Sequence, residues 1–309
     1  VIGLLALLLA LIAPAGPGEA PRGAVAARAA AALPGLGAAP RGAAAARSAA
    51  TLPGLGAAPR GAAEPPAPDA RLPRAPGDLA DAFTATTRAL RAAAWDGSGA
   101  VPPDVTLLAL HHQRVLRLMA ERRTLGDATL KALPRDVLGE ARDTVLARRA
   151  LDAIPRGKPP RVRVAQAAPA STLRAAYEEG QRRFGVDWSV LAAVNFVESA
   201  FGRVRSASEA GARGPMQFLP ATWREYGMGG DIDDPHDAIL AAANYLHRSG
   251  ASESLDRALF AYNHSSDYVR AVKRFAARMR ADERAFRTYY AWQVYVRTPG
   301  GGSRRITGP

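Results

Sequence analysis

The chain has no cysteine among its 309 residues, so no disulfide framework holds it together. That absence neither supports nor excludes export. Lysine is almost missing too: Lys131, Lys158 and Lys273 are the whole complement, and the formal charge of +13 is therefore nearly all arginine. Such a surplus draws anionic partners, whether nucleic acid, membrane headgroups or the acidic polymers of a cell wall. The arginines are spread along the chain and no nucleic-acid motif accompanies them, which argues against a nucleic-acid partner. Aromatic residues are scarce in the first half. Of 20, only Phe83 and Trp95 precede position 170, which places the main core in the C-terminal part.

No basic segment and no Met precede the uncharged apolar run of residues 1–13. The run is short for a bilayer span but suits the apolar region of a secretory signal, with small residues and prolines following. Residues 1–20 are expected to be a signal peptide or, alternatively, a retained anchor giving membrane attachment through residues 1–13. Residues 21–76 are Ala, Pro, Gly and Arg with few large side chains, and residues 33–44 recur unchanged at 52–63, a period of 19 residues. Two copies are too few for a solenoid, and the composition buries too little surface to offset its ordering entropy. A disordered tether is expected there.

From 77 to 154 the pattern turns helical. Asp78, Asp104 and the Pro134-Arg135-Asp136 start open three segments, so a small three-helix module is expected. Its His111-His112 pair invites a metal reading, but neighbours on a helix point about 100 degrees apart and no Cys or spaced Glu joins them. Helix-surface histidines are the expectation. A linker at 155–170 precedes a main domain at 171–298, whose helices are expected at 172–184, 188–201, 220–226, 235–248, 254–262 and 267–279. Asp187 and Asp234 serve as N-caps and Gly250 as a terminator. Residues 289–296 fit either a short strand or a last helical turn, and 299–309 read as a flexible tail.

Glu198 is the chemically informative residue. On a helix it shares a face with Leu191, Val194 and Phe201. An apolar setting disfavours the charged form of a carboxyl, and a carboxyl protonated near neutral pH is what a general acid for glycoside cleavage requires. A lone glutamate near a helix end is more often a surface residue or an ion-pair partner, and Arg203 and Arg205 are close in sequence. Two further blocks change the balance: Gly211-Ala-Arg-Gly-Pro-Met-Gln-Phe218, and Ala261-Tyr262-Asn263. Together with Glu198-Ser199-Ala200-Phe201 they resemble, in order and spacing, the signature of the lytic transglycosylases.

That resemblance implies a fold that is mainly α: a lysozyme-like, goose-type α-helical catalytic domain, here preceded by the helical module and the disordered Ala/Pro/Gly-rich region. It implies an exported enzyme on peptidoglycan glycan strands, cleaving the MurNAc-β-1,4-GlcNAc bond with 1,6-anhydroMurNAc ends. Neither cofactor nor metal is implied. Glu198 would act first as acid and then as base, the substrate's acetamido group standing in for a second carboxylate. Gln217 would bond near that acetamido group, with Ser208 or the competing Ser206 orienting the region. Met216 and Phe218 would line a saccharide groove or belong to the core. Tyr262 and Asn263 would face Glu198, with Tyr268 a weaker candidate of the same kind. The acids at 231–234 are best explained as helix-capping groups, and a calcium loop there fails because His236 stands where Gly is needed. A goose-type muramidase and a non-catalytic wall-binding protein are the alternatives.

Overall fold

Proline and acid placement sets the helix starts of the first half. In the computed structural model, which describes residues 64–155, 162–298 and 302–309, α1 (Pro76–Ala92), α2 (Pro103–Glu121) and α4 (Arg135–Ala153) each begin at or just after a proline. Proline there loses no needed donor, and Asp78, Asp104 and Asp136 lie in the first turns, where they complement the helix dipole. Asp78 and Asp104 do not cap, although the sequence offers them as caps, and no N-cap side chain bonds the free N–H groups at any of the three starts. A fourth helix, α3 (Arg123–Ala132), was not expected. It folds back on α2 so closely that a Cβ on Gly126 would lie 2.0 Å from the Met119 carbonyl oxygen. The expectations for residues 1–63, signal or anchor and most of the tether with its repeat, lie outside the described residues. Of the rest of that tether, Leu72 packs on the core and the Pro68 carbonyl accepts from Arg114 Nη1 at 3.0 Å.

The second half follows its sequence signals more closely. It contains α5 (Ala170–Phe184), α6 (Trp188–Ser199), α7 (Pro220–Tyr226), α8 (Pro235–Arg248), α9 (Leu255–Tyr262), α10 (Ser266–Ala281) and α11 (Glu283–Ala291). Asp187 accepts from Ser189 N to cap α6, Asp234 from Asp237 N to cap α8, and Ser254, Ser265 and Asp282 do the same for α9, α10 and α11. Substituting such a cap costs about 1 kcal/mol. In α6 every residue from Ser189 to Ser199 is buried. A helix apolar all round belongs in the middle of a core, and α6 packs against α5, α8, α10 and α11. Its Phe196 ring meets Phe201, Phe275, Tyr289 and Trp292 with centroids 5.0–5.8 Å away.

The first four helices share this core. One continuous apolar cluster runs from Leu79 to Trp292, and α10 lies between α4 and α6. Thr144 on α4 and Tyr289 on α11 share a buried hydrogen bond of 2.6 Å, and Arg274 Nη1 on α10 pairs with Asp143 at 3.1 Å. The histidine pair is likewise interior, which corrects the surface expectation. His112 is fully buried, its Nε2 3.0 Å from Glu140 and its Nδ1 accepting from Trp292 Nε1 at 3.3 Å. His111 is 7 % exposed, with Nδ1 2.9 Å from Thr86 Oγ1. Their partners lie 25 or more residues away, beyond the reach of local periodicity.

Residues 289–296 hold both of the expected elements: α11 ends at Ala291 and strand β1 (Tyr295–Arg297) follows. Where the sequence suggested a tail, β2 (Ser303–Arg305) pairs antiparallel with β1, Val296 opposite Arg304. Gln113 holds this hairpin by accepting from Gln293 N and donating to its carbonyl, and Arg117 stacks 4.2 Å over the Tyr295 ring. The 155–170 stretch is crossed by a bridge between Val164 and Val204, and its residues 156–161 lie outside the described set.

Candidate active site

The site begins where α6 stops. The helix ends at Ser199, two residues short of the sequence expectation, because Ala200, Phe201 and Gly202 all take left-handed backbone conformations with φ of 52, 63 and 79°. Glycine adopts this freely, but a residue with a Cβ does so at a cost of about 1–2 kcal/mol. Among the described residues only four non-glycine residues have positive φ: Ala200, Phe201, Gln217 and Met228. Three of them are in the motifs singled out from the sequence. Strain of this kind persists where surroundings over-determine it and gathers at functional sites.

A buried polar chain supplies that over-determination. Tyr177 Oη on α5 donates to Asn195 Oδ1 at 2.6 Å, and Asn195 Nδ2 on α6 donates to the Pro215 carbonyl at 2.8 Å. Ser199 Oγ also donates to Pro215 O, at 2.5 Å, while accepting from Gly202 N at 2.8 Å. These residues clamp the end of α6 to the 211–218 loop. Sequence reading included Ser199 only as part of the Glu198–Phe201 block and missed Asn195 and Tyr177, whose spacing alone marks them as ordinary core positions.

The loop is a tight two-way turn. Arg213 and Phe218 exchange main-chain hydrogen bonds at 2.8 and 2.9 Å, and Gln217 N donates to Gly214 O at 3.1 Å. Gly214, at φ +75°, is forced by its neighbour: a Cβ there would lie 1.9 Å from the Ile232 carbonyl oxygen. The close approach that this glycine permits is therefore to the 231–233 segment, where Asp233 also pairs with Arg213 at 2.6 Å.

Glu198, two residues before the turn, is 1 % exposed and receives a hydrogen bond from Tyr268 Oη at 2.8 Å. Tyr268 sits in the first turn of α10, its N–H on the Ser265 cap. Tyr262, at the end of α9, lies with its ring parallel to that of Tyr268, centroids 6.5 Å apart, but its hydroxyl donates to Met216 O at 2.7 Å. The two tyrosines thus divide the work: Tyr268 holds the carboxyl and Tyr262 holds the loop. Both hydroxyls are kept well above their usual pKa, first by burial and then by the negative field of Glu198.

The other candidates are placed as follows. Gln217 is fully buried beside Glu198's loop, with Nε2 on Gly214 O at 3.0 Å and Oε1 without a hydrogen-bond partner among the described residues. Such an acceptor is costly unless something fills it. Met216 and Phe218 are wholly buried, Phe218 against Trp223 and Tyr262, so they are core and do not line an open groove. Ser208 Oγ accepts from Ala212 N at 2.9 Å and shapes the entry to the loop; Ser206 Oγ accepts from Arg163 N at 2.6 Å, on the Val164–Val204 bridge. Asn263 ends α9 and is 6 % exposed. Asp234, His236 and Asp237 come within 4.8 Å of one another, but Asp234 caps α8, Asp237 accepts from Asp231 N and His236 pairs with Glu179 at 2.9 Å.

Residues 175–284 match the family model of the transglycosylase SLT domain, so this part of the chain is an SLT-type domain with its lysozyme-like, mainly α fold. Among curated proteins, the membrane-bound lytic murein transglycosylase F of Thiobacillus denitrificans is 30 % identical over 112 residues, 34 % of this chain. The chain spans 23 % of that relative's length. No solved structure matches the chain. Among the described residues no helix is long and apolar enough to cross a membrane.

Proposed function

We propose that the chain is a peptidoglycan lytic transglycosylase in which Glu198 is the single acid and base. The observation that carries this reading is the buried Glu198–Tyr268 hydrogen bond, set against a strained loop inside the matched domain. Burial disfavours the charged carboxylate, while the Tyr268 phenol helps to fix its geometry. The acids closest in type to a second catalytic group, at 231–234, are occupied: Asp231 accepts from Asp233 N, Asp233 pairs with Arg213 and Asp234 caps α8. A one-carboxyl mechanism suits this arrangement.

In that mechanism Glu198 protonates the oxygen leaving C1 of N-acetylmuramic acid, and the substrate's acetamido oxygen supports the electron-poor carbon. The ionised Glu198 then takes the proton of the C6 hydroxyl as that oxygen closes on C1, leaving a 1,6-anhydro end and consuming no water. Gln217 Oε1, a buried acceptor, suits the acetamido N–H. Export, with residues 1–20 as signal or anchor and the low-complexity stretch before residue 64 as tether, belongs to the same proposal. The arginine surplus would retain the enzyme on anionic wall polymers.

Glu198→Gln is the test. Release of anhydro-muropeptides from purified sacculi is expected to fall by a factor on the order of 10²–10⁴, with the far-ultraviolet circular dichroism unchanged. Full activity in this variant removes Glu198 from the mechanism. Products of the unmodified chain heavier by one water identify a muramidase, and sacculus binding without soluble products identifies a binding protein.

A further inference from the structure

The corner between α2 and α3 carries a groove of about 680 Å³ that the Glu198 site does not use. Five arginines line it, Arg71, Arg74, Arg114, Arg122 and Arg123, against one acid, Glu121. That acid is already held by Arg117 Nη2 at 3.2 Å. Arg71, Arg74, Arg122 and Arg123 are exposed, and none of the four has an ion-pair partner among the described residues. The rest of the lining is apolar: Leu72, Leu118 and Leu125, all half-buried.

The corner is built stiffly. Arg149 Nη2 donates to Met119 O at 3.0 Å and to Arg123 O at 3.3 Å, and its Nη1 pairs with Asp127 at 2.6 Å. The N-cap to third residue of α3, Arg122 to Leu125, all line the groove, and that helix end has neither a side-chain cap nor an acid in its first turn. Behind the groove Arg148 is fully buried, Nε and Nη1 unpartnered among the described residues, in the field of Arg117, Glu121 and Asp152. The excess of positive charge is therefore concentrated in the groove lining, where five arginines face one acid.

We propose that the groove binds the phosphate headgroup of an anionic phospholipid and docks this face of the chain on a membrane surface. Forked guanidinium donors and a free helix N-terminus match phosphate oxygens. The leucines beside them match the apolar part of the same amphiphile. A free phosphate would leave the leucines unused, and an extended polyanion would need cations strung along its length where these converge on one corner. The inference does not depend on the activity at Glu198.

Calorimetric titration of the full chain with dioctanoyl phosphatidylglycerol, below its micelle threshold, tests it. Arg122→Glu with Arg123→Glu is expected to weaken binding at least about tenfold, and so is Arg71→Glu with Arg74→Glu, which lies outside any helix. Arg182→Glu with Arg224→Glu, the same charge change at a distant exposed surface, is expected to alter it less than about twofold at moderate salt. Dioctanoyl phosphatidylcholine and inorganic phosphate are expected to bind at least about tenfold more weakly than the phosphatidylglycerol. Equal weakening by groove and control pairs, equal affinity for inorganic phosphate, or no binding of the anionic lipid would each overturn the proposal.

Discussion

Gly214→Ala separates two costs that usually arrive together. Gly211 and Gly214 sit three residues apart in one loop, with φ of +80 and +75°, so an alanine at either meets the same left-handed backbone cost of about 1–2 kcal/mol. They differ in what the new methyl group would touch: nothing within 4 Å at Gly211, but the Ile232 carbonyl oxygen at 1.9 Å and its carbon at 2.9 Å at Gly214. Relief at Gly214 requires the loop and the 231–233 segment to part by about 1 Å, a displacement of the kind that costs roughly 1–3 kcal/mol in a packed interior. The Arg213–Asp233 pair and the Asp234 cap are on the moving segment, so it does not yield freely. The expected loss is therefore about 2–5 kcal/mol for Gly214→Ala and about 1–2 for Gly211→Ala, measured by urea unfolding followed through tryptophan fluorescence. Sacculus digestion should fall for Gly214→Ala even where it is folded, since Gln217 and Pro215 move with the loop. Two variants agreeing within about 0.5 kcal/mol, well inside the range of ordinary surface changes, would refute the close approach.

Three other perturbations have definite signs. Tyr268→Phe removes a donor to Glu198 Oε1 and should lower kcat by about 10- to 100-fold with little change in KM; because that donor favours the ionised form, the basic limb of the pH–rate profile should move upward, and an unmoved limb would count against the positioning role. Thr144→Val and Tyr289→Phe each strand a buried hydroxyl from their 2.6 Å pair at about 1–3 kcal/mol, and the double variant should lose less than the sum; strict additivity in denaturant titrations would deny the coupling of α4 to α11. Burial holds the His111 imidazole down at about 4, against 6.5 normally, so between those values the unfolded chain takes a proton that the folded chain refuses. Stability from this group is complete above about pH 6.5 and is lost as pH falls toward 4, by roughly 1–2 kcal/mol after solvent screening; His111→Gln should flatten that part of the stability–pH curve, and an unchanged curve would refute it.

How much of this was legible beforehand depends on the range of the interaction concerned. Asp187, Asp234 and Gly250 announce helix ends because a cap bonds within three residues, and the all-apolar face around Glu198 is a matter of counting. The α3 helix was illegible because it is short and carries Gly126, which reads as a breaker until its role as a contact point with Met119 is seen. The tyrosine assignment is a sharper case. Tyr262 lies in the motif and Tyr268 outside it, yet the turn at Asn263–Ser265 sets the angle between α9 and α10, and that angle decides which hydroxyl reaches Glu198. No periodicity encodes such an angle. The buried histidines and the terminal hairpin fail for the same reason, their partners lying far along the chain.

The helices before residue 155 are part of the site's support. Tyr268 can meet Glu198 at 2.8 Å only if α10 keeps its rotation and height relative to α6, and α6 contacts α10 from one side alone. On the other side lies α4, with Asp143 pairing both Arg274 and Arg278 along the α10 surface and Thr144 fixing Tyr289 of the next helix. A hydrogen bond weakens steeply once its geometry is lost, and packed interfaces resist sub-ångström drift because each methyl group has a place. The matched domain at 175–284 includes α6 and α10 but leaves out α4, so it contains the Glu198 carboxyl and the Tyr268 phenol without one of the two surfaces that hold them in register. The surfaces that hold Glu198 and Tyr268 in register therefore include α4, which lies ahead of residue 171 in the chain.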